Sequence, residues 1–166
     1  MDSLNLQNNG LKSLPIELSL LTNLRDLHAN YNHITSIPLG LTNLEVLTLQ
    51  HNNLKSIPTN LLLLTNLKEL YFLKNNLKKV SSAISLLTNL EEINLYCNQL
   101  TSFPKEIVSL TKLKYLNLGG NDSLIWLPTN IELLTNLVTL HTPNNNSYKA
   151  ITSEQRMLLT NLQILN

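Results

Sequence analysis

The sequence has a single cysteine, Cys97, so no intrachain disulfide can form, and a reducing compartment is favoured over an oxidising one. Residues Met1 to Asn5 lack the basic start and apolar stretch of a signal peptide. Apolar runs such as Leu61 to Leu64 are far too short to cross a bilayer. We therefore expect a cytoplasmic protein without membrane insertion, although an effector exported without a cleaved signal peptide would share these features.

Neither sign of charge dominates, because 12 Lys and Arg face 11 Asp and Glu. Proteins that bind nucleic acid usually carry a basic excess that neutralises phosphates, so we expect no nucleic-acid partner. Only four glycines are present, none in a phosphate-binding loop. Aromatic residues make up only 5% of a chain whose apolar content is dominated by leucine. A core built from one kind of side chain indicates one structural unit used many times.

A short motif recurs along the whole chain at intervals of 20 to 25 residues. The string Leu-Thr-Asn-Leu, replaced once by Thr111-Lys112-Leu113, marks each step. Such a period predicts a solenoid of stacked turns that share one core. We therefore expect a single array over residues 1–166 with about seven turns and a partial repeat from Leu162. The seven turns begin near Met1, Leu24, Leu44, Leu67, Leu90, Leu113 and Leu137.

Each turn has the same internal order. In the turn from Leu44, the alternation of Leu47 and Leu49 predicts a short strand, and strands repeated in one direction form a parallel sheet. The return segment opens with proline in five turns, which predicts a bend or a short irregular helix. These prolines are Pro15, Pro38, Pro58, Pro104 and Pro128.

Four turns depart from this order, one of which is the turn from Leu113, which gains a residue near Asp122 and Ser123. The turn from Leu24 is three residues short around Gly40, and Val80-Ser81 stands where proline is expected in another turn. Near the C-terminus, Thr152 to Gln155 has the pattern of a capping box, which predicts a helical turn on the return side.

The pattern resembles the leucine-rich-repeat family, in the 23-residue class with an Ile/Leu-Pro step and a Leu-Thr-Asn-Leu junction. The resemblance covers essentially the whole chain. It implies an α/β fold: a curved solenoid with a parallel sheet on the concave face and short helical or irregular turns on the convex face. It also implies a protein-binding scaffold and a protein partner.

Asparagine occupies the bend that follows each predicted strand. A buried asparagine can donate and accept at once, so it can satisfy backbone groups in its own turn and in a neighbouring one. We predict a structural ladder of buried asparagines, formed by Asn9, Asn32, Asn52, Asn75, Asn98, Asn121 and Asn145.

The positions between the strand leucines should face solvent and form columns across the turns. One column alternates in charge without exception, which favours a structural role in holding neighbouring turns in register. Its members are Asp2, Arg25, Glu45, Lys68, Glu91 and Lys114.

The other columns hold most of the tyrosines and two adjacent glutamates. Tyrosine is enriched at interface hot spots, and neighbouring carboxylates favour a cationic partner group. The alternatives are that tyrosine simply suits strands and that the glutamates form a solvated patch. We predict a partner-binding surface made of Tyr31, His51, Glu69, Tyr71, Leu73, Lys74, Glu92, Tyr96 and Tyr115. Gly119 and Gly120 should leave a dip beside Tyr96, and Trp126 on the return side should pack.

The sequence gives no sign of catalysis. The four histidines are scattered, so no set of metal ligands is expected. Cys97 and His51 share a column but lie two turns apart, roughly 10 Å by strand spacing, too far for a nucleophile and its base. We expect neither an enzyme nor a cofactor.

The first and last turns expose leucines such as Leu4 and Leu162, whereas solenoids usually have polar caps. The chain could be a fragment, or a homodimer could cover an end. Two alternatives to a protein-binding module therefore stay open. One is a structural protein that self-assembles through uncapped ends, and the other is the recognition part of a larger effector such as a ubiquitin ligase. The partner, the pathway and the organism are not indicated by the residues.

Overall fold

The computed structural model describes residues 1–128, 130–144 and 151–165, with only the backbone of residues 164 and 165. Within these ranges, eight short strands form one sheet whose strand order follows the chain, and every neighbouring pair is parallel. The parallel-sheet solenoid predicted from the repeat is confirmed. The strands are β1 (Ser3–Asn5), β2 (Asp26–His28), β3 (Val46–Thr48), β4 (Glu69–Tyr71), β5 (Glu92–Asn94), β6 (Tyr115–Asn117), β7 (Thr139–His141) and β8 (Ile164–Leu165).

The return segments are mostly single turns of 3₁₀ helix. Proline precedes three of these helices in an extended conformation, and Ser81 takes its place in a fourth. The Ser81 hydroxyl accepts a hydrogen bond from the Ala83 N–H at 3.2 Å, so the serine caps the helix where proline is missing. The 3₁₀ helices span Ile16–Leu20, Thr59–Leu63, Ser82–Leu86, Lys105–Ser109 and Ile131–Leu133.

The last described return segment is an α-helix, α1 (Ser153–Leu158). The Thr152 hydroxyl accepts from the Gln155 N–H, and the Gln155 side chain accepts from the Thr152 N–H, both at 3.1 Å. This reciprocal pair is the capping box predicted from the sequence, and the helical turn is confirmed. No helix in the described part of the chain combines the length and the apolar character that crossing a membrane requires.

The core lies between the sheet and the return segments. The central residue of β2 to β7 is buried and its flanking residues are mostly half-exposed, as expected for one covered sheet face. Phe72, directly after β4, is fully buried among leucines of adjacent turns. Because each turn buries its leucines only against its neighbours, stability accumulates along the stack.

The Leu-Thr-Asn-Leu motif has a structural role that its use as a repeat marker did not reveal. Its asparagine donates from Nδ2 to the backbone carbonyl of the threonine one turn earlier, as between Asn66 and Thr42 at 2.9 Å. The same bond joins Asn43 to Thr22, Asn89 to Thr65, Asn136 to Thr111 and Asn161 to Thr135, at 2.7–2.9 Å. These exposed bonds form a second asparagine ladder, distinct from the predicted one.

The short turn between β2 and β3 contains no helix in its return segment. Gly40 lies there with φ of +91°, and a Cβ at this position would lie 2.7 Å from the Ser19 Cβ of the preceding turn. Because this turn is three residues short, its return segment lies in close contact with the return segment of the preceding turn.

The packing role expected for Trp126 is wrong, because its side chain is 53% exposed. Trp126 lies midway between Leu124 and Pro128 in the sequence. Ser102 has the same position one turn earlier, midway between Leu100 and Pro104. Ser102 is also exposed. This position of the turn faces solvent whatever residue occupies it.

Candidate functional site

The solvent-facing side of the sheet, here called the concave face, carries the tyrosines predicted for partner binding. Tyr31 and Tyr96 are exposed, whereas Tyr71 and Tyr115 are half-buried. Leu73 is also half-buried, so less of it is accessible than its column position suggested. Tyr71 and Tyr115 lie within strands, whereas Tyr31 and Tyr96 lie three and two residues past the ends of β2 and β5.

Directly beyond this surface runs a column of residues in the left-handed conformation, which the sequence reasoning missed. Their φ angles lie between 51° and 64°, and only one of them is glycine. The backbone N–H of His51 donates to the Leu73 carbonyl of the next turn at 2.9 Å, and Lys74 and Cys97 repeat the bond. For non-glycine residues this conformation costs about 1–2 kcal/mol, which the inter-turn bonds offset. The column is Asn8, Tyr31, His51, Lys74, Cys97 and Gly120.

Within this column, the rings of Tyr31 and His51 stack with centroids 4.3 Å apart and planes 18° apart. Partial burial lowers the pKa of His51, and the ammonium of Lys74 in the next turn lowers it further. Lys74 itself is exposed. The stack therefore offers a flat, half-buried aromatic platform with one cation beside it.

Glu69 and Glu92 form an acidic pair at the centre of the concave face. They are register partners on β4 and β5, and neither forms an ion pair with a described residue. The Tyr71 hydroxyl lies within hydrogen-bond distance of both carboxylates, at 3.2 Å from Glu69 and in a short contact with Glu92, so the two carboxylates share its single proton. Burial, followed by these two carboxylates, raises the pKa of Tyr71. The pair is a fixed site of negative potential that favours an approaching cation.

The alternating charge column forms ion pairs between turns. Glu45 lies between Arg25 and Lys68, with its carboxylate 2.5 Å from the Lys68 Nζ, and Glu91 pairs with Lys114 at 2.6 Å. Asp2 is instead 3.8 Å from the N-terminal ammonium. These ion pairs join three of the five pairs of neighbouring positions in the column, so Glu45 and Glu91 are already paired when a partner arrives.

Acidification should weaken this charge column. The Lys68 ammonium, followed by the Arg25 guanidinium, lowers the pKa of Glu45 below its ordinary 4.5. Because the folded-state pKa is depressed, the stabilisation is complete above the unfolded value and is lost as pH falls through the folded one. The melting temperature should therefore fall as the pH drops below the ordinary value of 4.5, and less steeply in Glu45→Gln than in wild type. Equal slopes in calorimetric scans would contradict the prediction.

The asparagines at the bends lie beneath the concave face, and five of them are buried: Asn32, Asn52, Asn75, Asn98 and Asn121. Asn75 shows the pattern: Nδ2 donates to the Leu49 carbonyl at 2.8 Å and to the Phe72 carbonyl at 3.1 Å, and Oδ1 accepts from the Leu54 N–H at 3.1 Å. Asn9, in the first described turn, departs from this pattern. Asn9 is exposed, and its amide donates only to the Gln7 carbonyl. Asn145 lies outside the described residues.

A cavity of about 720 Å³ opens beside Tyr96, where the two glycines were expected to leave a dip. It is here called the glycine cavity. Its described lining is Tyr96, Asn117, Gly119, Gly120, Asp122, His141, Thr142, Pro143 and Asn144. The cavity therefore lies on the concave face, between the turns that contain β5 and β7.

The described residues contain no group of three or more His, Cys, Asp or Glu that could hold a metal ion. Cys97 is half-buried as a free thiol, and Lys74 separates it from His51 in the left-handed column. The surface described above is thus suited to contacts through tyrosine, carboxylate and amide groups.

Models of known protein families match two stretches of the chain, both described as leucine-rich repeat, at residues 43–64 and 65–122. No curated protein sequence matches the chain.

Solved structures match nearly the whole chain. A leucine-rich-repeat protein of Leptospira interrogans is 26% identical, with a TM-score of 0.74 over 98% of this chain and 53% of its own. The plant peptide hormone receptor RGFR1, solved in complex with RGF2, is 28% identical, with a TM-score of 0.81 over 98% of this chain and 27% of its own. YopM from Yersinia enterocolitica is 28% identical, with a TM-score of 0.77 over 100% of this chain and 33% of its own. This chain thus spans between 27% and 53% of these structures.

Proposed function

We propose that this chain, which is a leucine-rich-repeat protein, binds a partner protein on its concave face. The observation that carries the proposal is the acidic pair with the Tyr71 hydroxyl bonded to it and with Tyr115 as the register partner of Glu92, all on one open parallel sheet. Tyrosine contributes a large contact area at low entropic cost and is over-represented among hot spots. The half-buried Tyr71 is also held in place by Glu69 and Glu92, so its ring is ordered before a partner arrives.

The comparisons support a protein-interaction module. One relative is a peptide hormone receptor solved in complex with RGF2, and another is YopM. This chain spans only part of each of these structures. The proposal therefore includes the case in which the chain is the recognition part of a longer effector.

Replacing Tyr71 and Tyr96 together by alanine should weaken partner binding by at least about 30-fold, since a contribution of about 1–2 kcal/mol from each side chain sums to about 2–4 kcal/mol. The test is affinity capture on three baits with quantitative mass spectrometry: wild type, the double variant and Trp126→Ala. Trp126 is a matched control because it is an exposed aromatic residue outside the strands of the sheet.

A partner retained by wild type and by Trp126→Ala, but lost from the double variant, is the expected result. Circular dichroism melts of all three baits separate lost contacts from lost folding. If the three baits retain the same proteins in the same amounts, the concave face is not the binding surface.

A second candidate function is self-association through the ends of the solenoid. The observation that favours it is that Leu4, Leu6 and Leu11 are only partly buried, whereas Leu27 and Ile34, at the positions of Leu4 and Leu11 in the next turn, are fully buried. Sedimentation separates the two functions, because a concentration-independent monomer that still captures a partner supports the first and a dimer or polymer supports the second.

A further inference from the structure

We propose that the glycine cavity binds an arginine side chain of the partner. This inference rests on the proposed function and specifies which partner group the cavity recognises. Its volume of about 720 Å³ lies within the range of small-molecule sites and is ample for one long side chain.

Two adjacent glycines of one turn, Gly119 and Gly120, line the cavity. Gly119 occupies the position held by Tyr96 in the preceding turn and by Pro143 in the following one. A Cβ on Gly119 would lie 3.1 Å from Cδ2 of Tyr96, so the tyrosine ring rests against the Gly119 backbone. Tyr96 and Pro143 therefore give the cavity flat apolar walls over a backbone floor.

The charge of the lining is negative. Asp122 is the one formally charged residue among its described members, and it is exposed without an ion pair to any described residue. The Asn117 side chain is already engaged, since Oδ1 accepts from the Gly119 N–H and Nδ2 donates to the Tyr115 hydroxyl, both at 3.0 Å. The charge of an entering group must therefore be met by the Asp122 carboxylate.

A guanidinium fits this combination better than an ammonium. It is planar, stacks on an aromatic ring and pairs with a carboxylate through two parallel hydrogen bonds. A lysine ammonium is a strongly hydrated point charge that gains little from a flat wall. The acidic pair of Glu69 and Glu92, on the same face, adds to the potential that draws a basic segment towards the cavity.

The test uses N-acetyl-arginine amide as the probe and the full chain labelled with ¹⁵N. The backbone amides of Gly119 and Gly120 report directly on the cavity in proton–nitrogen correlation spectra. We expect saturable shifts of these amides with a dissociation constant on the order of 1 mM, the range for a ligand of this size. N-acetyl-citrulline amide has nearly the same shape without the charge and should bind at least about fivefold more weakly.

Asp122→Asn should weaken arginine binding by about fivefold, whereas Glu17→Gln, on the exposed return segment of the first turn, should leave it within about twofold. Equal shifts with arginine and citrulline, or equal affinity in wild type and Asp122→Asn, would overturn the inference. So would the absence of shifts at Gly119 and Gly120. The two proposals can fail separately. If affinity capture depends on Tyr71 and Tyr96 but any of these results is obtained, the arginine site is rejected and the proposed function is retained.

Discussion

Asn75→Ala should lower the free energy of unfolding by about 4 kcal/mol, because three backbone groups lose a partner at once. The amide of Asn75 donates to the carbonyls of Leu49 and Phe72 and accepts from the N–H of Leu54. The Asn75 side chain is 7% exposed, so little water can replace it. A buried polar group without a partner costs about 1–3 kcal/mol, and the methyl group of alanine satisfies none of the three.

The matched control is Asn9→Ala, at the equivalent position of the first turn. Asn9 is exposed and its side chain makes one bond, to the Gln7 carbonyl, so its loss should cost less than about 1 kcal/mol. Asn75→Asp keeps the shape and the acceptor but removes both donated bonds, and it should also destabilise strongly. Urea unfolding followed by circular dichroism measures all three variants. Similar losses for Asn75→Ala and Asn9→Ala would show that the ladder does not hold the turns together.

This ladder shows what the sequence could and could not provide. The regular spacing of the asparagines was enough to predict that they share one position in the turn, because a residue type repeated at every bend is visible in the sequence itself. Spacing could not show that Asn9 is exposed, since that depends on whether a turn packs against it. The position of Trp126 was missed for a related reason: an apolar side chain is not buried where the turn directs it to solvent.

The candidate site was predictable in its columns and not in its contacts. The period placed Tyr71, Glu69 and Glu92 on one face, but the hydroxyl shared between the two carboxylates depends on side-chain orientation. The left-handed column had only weak signals, because Tyr31, Lys74 and Cys97 are not residue types that favour a positive φ. In this column, backbone hydrogen bonds between adjacent turns override the conformational preference of each residue. These bonds cannot be predicted from one segment of the sequence alone.

Gly40→Ala should lower the free energy of unfolding by about 3 kcal/mol, through two separable costs. A φ of +91° lies beyond the left-handed region that L residues occupy, which costs about 1–2 kcal/mol. The new Cβ would also lie 2.7 Å from the Ser19 Cβ, so the return segments must move apart, at a cost of about 1–3 kcal/mol. Gly10→Ala is the matched control, because Gly10 has a φ of +64° and no atom within 4 Å of the added Cβ, and it should lose only about 1 kcal/mol.

A double-mutant cycle with Ser19→Gly separates the two costs of Gly40→Ala. Ser19→Gly removes the clashing atom, together with the hydroxyl that donates to the Ile16 carbonyl at 2.7 Å. If steric contact contributes, the double variant should be more stable than the sum of the single losses by about 1–2 kcal/mol. If the losses in free energy of unfolding are additive, backbone strain is the only cost of Gly40→Ala. The short turn would then have room for a side chain at position 40. A positive coupling would instead explain why this turn, shortened by three residues, has glycine where Leu63 and Leu86 stand in the turns that contain a 3₁₀ helix.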